Sequence, residues 1–104
     1  MRTPGDANPE QPLDAIFGSV AVVRVLRELS DGEAHAPSYL AQRTNVSRPA
    51  VRDALIRLER FHIVVRVGEG RVVLYRVNDN HPLMRRLVKL FRAEAKLESD
   101  RDDA

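Results

Sequence analysis

The stretch from Pro37 to Leu58 constrains this chain most, because it holds two short helical patterns broken at a single residue. Pro37 suits the first turn of a helix running to about Thr44, where its missing N–H costs nothing. Asn45 interrupts the pattern. Ser47 then stands where an N-cap belongs, with Pro49 tolerated in the first turn of a helix that runs to about Arg60. Val51, Ala54, Leu55 and Leu58 recur at helical spacing and predict the buried face of that helix. The residues around the break have physical reasons to be there. Ala41 is small where two helices must cross closely, Asn45 tolerates the left-handed conformation of a tight turn, and Val46 fills the space beneath it, with Leu40 on the same helix as Ala41.

What flanks this pair narrows the fold further. Ile63 to Val67 and Arg71 to Val77 are rich in valine, isoleucine and tyrosine, and Gly68-Glu69-Gly70 between them supplies the positive φ angles of a hairpin turn. Upstream, Val22, Leu26 and Leu29, with Val25 beside them, share a helical face opposed by Arg24, Arg27 and Glu28. Ser19 is the expected N-cap of that helix, Asp31-Gly32 its end, and Glu33 to Ala36 a short extended piece. After Asn78-Asp79-Asn80-His81, Pro82 opens a further helix that His81 is placed to cap. The expected fold is mainly α with a small β-hairpin: three helices, a hairpin, then an added C-terminal helix.

With 104 residues there is room for one modest core and no second catalytic domain of ordinary size. Residues 1–12, with Pro4, Gly5, Pro9 and Pro12, read as a disordered tail, 13–80 as the folded domain, 81–97 as the C-terminal helix and 98–104 as an acidic disordered tail. No apolar run is long enough to cross a bilayer, Met1 to Pro12 lacks the apolar stretch of a signal peptide, and the absence of cysteine removes disulfides and thiolate sites. A cytoplasmic protein is expected, with no membrane partner.

Charge is distributed unevenly. Between Arg43 and Arg76 there are eight arginines (Arg43, Arg48, Arg52, Arg57, Arg60, Arg66, Arg71, Arg76) against three acids (Asp53, Glu59, Glu69), or +5, while the rest of the chain sums to −3. A polyanion is the natural partner of the middle segment, although a solvated, salt-bridged surface has the same composition.

The Pro37–Leu58 stretch resembles the helix-turn-helix of winged-helix transcription regulators, the broad MarR-like and ArsR-like group. The hairpin extends that resemblance over roughly Phe17 to Val77, with Gly68 to Arg71 as the wing. Ile16-Phe17-Gly18-Ser19 leading into Arg24-Val25-Leu26, and Tyr75-Arg76-Val77-Asn78 followed by His81-Pro82-Leu83, are also similar to small prokaryotic winged-helix proteins often associated with nucleotidyltransferase modules.

The resemblance implies a sequence-reading, double-stranded DNA-binding regulator whose recognition helix, about Ser47 to Arg60, enters the major groove, about 12 Å wide. On that implication Arg48 and Arg52, beside Pro49 in the first turns, read base edges, and Ser47 holds a phosphate with the free amides of the helix N-terminus. Arg57 reaches the backbone, Arg66 and Arg71 on the wing touch the adjacent groove or phosphates, and Tyr39 and Arg43 are lesser backbone contacts. Glu69 at the wing tip opposes a phosphate.

The C-terminal helix has an unusually wide apolar face: Leu83, Leu87, Leu90 and Leu97 form one stripe, and Met84, Val88, Phe91 and Ala95 another. A homodimer seam over Leu83, Met84, Leu87, Val88, Leu90 and Phe91 is expected, with Glu94 needing either a basic residue from the partner or a contact that loosens there. Packing of both stripes on the chain's own first helix is the alternative.

Other functions are weighed on the same residues. Gly18-Ser19 followed by Asp31-Gly32-Glu33 superficially resembles a nucleotidyltransferase pattern, yet Gly32 marks a turn where that site needs a strand, so no enzyme is expected. His35, His62 and His81 are scattered and without cysteine, which predicts no metal and no cofactor. A winged helix acting as a protein-interaction module, its basic middle on an acidic partner not yet identified, is the remaining alternative.

Overall fold

The computed structural model describes residues 11–68 and 70–102, so the tail expected over residues 1–10, Glu69 at the wing tip and residues 103–104 lie outside the described residues. Among the described residues five helices and one hairpin occur in the order α1 (Pro12–Phe17), α2 (Val20–Leu29), α3 (Pro37–Thr44), α4 (Arg48–Arg60), β1 (Val64–Val67), β2 (Leu74–Val77) and α5 (Pro82–Asp102). None of these helices is long and apolar enough to cross a membrane.

The punctuation follows side-chain chemistry. Ser19 Oγ accepts from the Val22 amide and Ser47 Oγ from the Ala50 amide, each at 3.3 Å, so α2 and α4 are both serine-capped. Asn45 ends α3 with φ 57° and ψ 35°, the left-handed turn that a short polar side chain tolerates. His81 Nδ1 accepts from the Leu83 amide at 3.1 Å and caps α5.

Two boundaries differ from expectation. Pro12 opens α1 instead of closing a tail: Asp14 Oδ2 accepts from the Gln11 amide at 3.2 Å, and Ala15 and Ile16 are buried. Gly18 ends that helix at a close approach, since a Cβ there would lie 2.6 Å from the Asp14 carbonyl oxygen. At the other end, α5 continues through Glu98 to Asp102, where the sequence suggests an acidic disordered tail.

The hairpin pairs β1 with β2 antiparallel, with Val64 opposite Val77 and Val67 opposite Leu74. Its turn carries Gly68 at φ 100° and Gly70 at φ 88°, angles that a residue with a Cβ rarely adopts. The extended piece before α3 joins the sheet: the amides of His35 and Tyr75 donate to each other's carbonyls at 2.9 and 2.8 Å.

One core holds these elements together. Val22, Val25, Leu26 and Leu29 of α2 meet Leu40 of α3, Val51, Ala54, Leu55 and Leu58 of α4, Ile16 of α1, and Ile63, Val64 and Val77 at the base of the hairpin. Ala41 and Val46 pack against it at the α3–α4 turn.

The wide apolar face of α5 is divided differently from the expected seam. Met84, Leu87 and Phe91 are 1%, 5% and 7% exposed because they close this chain's own core, with Leu83 and Val88 packed beside them. Of the six residues expected in the seam, only Leu90, 54% exposed, faces solvent. An exposed ion pair accompanies this packing of α5 on the core. Arg27 donates from Nε and Nη2 to the two Glu94 oxygens at 2.6 and 3.1 Å, with its guanidinium 5.7 Å from the Phe91 ring centroid. Glu94 is therefore answered from within the chain.

Candidate nucleic-acid interface

Helix α4 buries Val51, Ala54, Leu55 and Leu58, which turns Pro49, Arg52 and Asp53 outward. Arg48 is also exposed, at the edge that faces α3. Ser47 and the start of α4 border a surface recess whose other side is α3, lined by Ser38, Tyr39, Gln42 and Arg48. Hydroxyls, a side-chain amide, a guanidinium and the Arg48 amide at the start of α4 bring donors to one place, and that combination suits a phosphate oxygen.

The expected cations fall into two groups. Arg48, Arg52, Arg57 and Arg71 have no acidic partner within salt-bridge distance among the described residues. Arg57, half-buried, lines a second recess with Ser19 at the start of α2 and Asp53. By contrast, Arg43 Nε donates to Glu28 Oε1 at 3.1 Å and Arg66 Nε to Glu59 Oε2 at 2.8 Å. The hydrogen bond to Glu28 holds the Arg43 pKa above its ordinary value, and that to Glu59 does the same for Arg66. Arg66 also lies 6.0 Å from the Tyr75 ring centroid, so it braces the hairpin against α4. These two arginines carry local bonds that any anion must displace.

Tyr39 is 40% exposed and stacks on His35, with centroids 4.5 Å apart, while His35 Nε2 pairs with Asp31 Oδ2 at 2.8 Å. The histidines thus have separate structural posts. His35 ties the extended piece to the end of α2, His62 takes a left-handed turn at φ 60° with its carbonyl accepting from Asn78 Nδ2 at 2.8 Å, and His81 caps α5.

Ser38 and Gln42 are absent from the expected interface. Their i, i+4 spacing on the exposed side of α3 is visible in the sequence, but the recess they share with Arg48 depends on how α3 meets α4.

Sequence comparison matches no protein-family model and no curated protein. Solved structures do match. A MarR family transcriptional regulator from Silicibacter pomeroyi superposes with a TM-score of 0.66 at 24% identity, over 86% of this chain and 63% of that one. The homodimeric winged helix-turn-helix DNA-binding domain of a Mycobacterium bovis protein gives 0.63 at 19% identity, over 86% and 81%. An ArsR-like transcriptional regulator from Rhodococcus sp. gives 0.59 at 25% identity, over 88% and 82%. This chain thus spans less than two thirds of the Silicibacter regulator but most of the other two. With its helix pair turned at Asn45, its hairpin wing and a long C-terminal helix behind them, the chain has the winged helix-turn-helix fold of MarR-family and ArsR-like regulators.

Proposed function

We propose that this chain is a homodimeric transcription regulator that reads double-stranded DNA, with α4 in the major groove and the wing on the adjacent groove or backbone. One observation carries the reading: Arg48 and Arg52, in the first turns of the serine-capped α4, are exposed cations with no acidic partner among the described residues. Among the described residues, neither guanidinium is held in a local ion pair that DNA would first have to displace. An unpaired guanidinium on a recognition helix is free to donate its fork to guanine O6 and N7. Ser47, Ser38 and Gln42 supply phosphate donors beside it, Arg57 and Arg71 further backbone cations, and Tyr39 with Arg43 the outer edge of the contact.

The homodimeric part rests on α5. From Ala95 to Arg101 its residues are all exposed, and an isolated helical segment of that length is marginal in water. The Mycobacterium bovis neighbour is itself a homodimeric DNA-binding domain. Two-fold symmetry would set two α4 helices about 34–36 Å apart on successive major grooves, which makes an inverted repeat the expected operator. A regulator of this kind acts in the cytoplasm and is not an enzyme.

Selection from a random-sequence duplex pool tests the reading. Enrichment of an inverted repeat with half-sites about one helical turn apart is expected. A pool that stays unenriched after repeated rounds overturns it, and retention of an acidic protein instead would favour an interaction module.

A further inference from the structure

We propose that the outward face of α5 is an antiparallel, charge-coded self-association surface that crosses α5 of a second copy at Ala93. It rests on the homodimeric reading and adds direction, register and a charge code to it.

With Met84, Leu87 and Phe91 turned into the core, the opposite side of α5 presents Arg86, Leu90, Ala93, Leu97 and Asp100. Their spacing of i, i+4, i+7, i+11 and i+14 keeps them in one row along the helix. All five are exposed, Leu90 by 54% and Leu97 by 65%, so the row has two leucines around a small residue and opposite charges at its ends. A small residue at the centre is where two helices approach most closely.

Charge is also segregated along the helix axis. From Pro82 to Arg92 there are four cations, Arg85, Arg86, Lys89 and Arg92, and no acid, whereas from Ala93 to Asp102 four acids outnumber two bases. None of those four cations has an acidic partner among the described residues. A parallel pair would set Arg86 against Arg86 and Asp100 against Asp100. An antiparallel pair removes both repulsions and opposes the helix dipoles.

Register follows from counting. Arg86 and Asp100 are each seven residues from Ala93, about 10.5 Å at 1.5 Å per residue. A two-fold axis at Ala93 therefore brings Arg86 of one copy opposite Asp100 of the second, twice over. Leu90 of one copy then lies beside Leu97 of the second, one residue out of exact register, on each side of the crossing. An exposed ion pair contributes little singly, but here symmetry repeats it and a charge reversal replaces attraction by repulsion.

Sedimentation velocity on the full chain tests the proposal with Arg86→Glu, Asp100→Lys and the double variant, each checked by circular dichroism for unchanged helix content. Each single reversal is expected to weaken self-association roughly tenfold, and the double to restore it, because the exchanged charges would again face each other with opposite sign. Single variants that dimerise like the parent, or a double variant as weak as the singles, overturn the antiparallel register and leave the homodimer standing. A parent chain that stays monomeric at tens of micromolar overturns both.

Discussion

A chain carrying Arg52→Ala is expected to lose about 1–3 kcal/mol of affinity for its operator, roughly five- to 150-fold, with the loss concentrated at one base pair. Arg52 projects from the side of α4 opposite Val51, Ala54, Leu55 and Leu58, and it has no ion pair among the described residues to give up before it donates to a base. Arg52→Lys should recover little, because an ammonium cannot reproduce the planar fork. Arg66→Ala is the internal comparison. Arg66 must leave Glu59 to reach a phosphate, so its removal is expected to cost less and to cost the same on every sequence. Anisotropy titrations on the operator and its single-base variants separate these outcomes. Uniform weakening by Arg52→Ala would assign that side chain to the backbone.

Replacing Leu26 by Ala is expected to remove about 2–5 kcal/mol of stability, the other large effect. Leu26 is fully buried at the centre of α2, in the cluster that joins α2 to α4, the hairpin and α5. A domain of this size has about 5–15 kcal/mol in total, so the variant sits near the limit of folding. Urea unfolding reads the effect as a lower midpoint with an unchanged slope. A shift under about 1 kcal/mol would mean that the cavity collapses, contrary to close packing around α2.

Local chemistry makes much of this fold legible. Few residues take a positive φ, so Asn45 between two helical patterns can be placed in its left-handed turn, and Ser19, Ser47 and His81 can be assigned as caps from position alone. The hairpin is equally readable from its valines and the glycines of its turn, although its ladder is shorter than the apolar runs: Val72 is 62% exposed.

Where the sequence misleads, long-range packing or competing local signals decide. The prolines before Leu13 suggest a tail, yet Pro12 is well suited to a first helical turn, and α1 persists because Ala15 and Ile16 find the core. Acids near a helix C-terminus are unfavourable to its dipole, which makes Glu98 to Asp102 look like a stop, yet the helix runs on with Arg101 in its last turn. The face of α5 is legible as apolar, but its division between Met84, Leu87 and Phe91 inside and Leu90 and Leu97 outside depends on packing against a core built from distant parts of the chain, which Arg27 accompanies by pairing with Glu94, 67 residues away. The interface behaves likewise. Arginines can be placed on α4 by periodicity, whereas the pairs that tie Arg43 to Glu28 and Arg66 to Glu59 span different elements and leave no pattern in the sequence.

Fluorescence anisotropy on a duplex from the gene's own upstream region, and on a scrambled duplex of the same composition, each at low and physiological salt, separates a sequence-reading regulator from a non-specific binder. Affinity for both should fall as salt rises, since phosphate contacts release counterions, and the upstream duplex should remain the tighter at physiological salt. Equal affinity for the two duplexes at every salt, or no binding even at low salt, would contradict a regulator that reads sequence through Arg48 and Arg52.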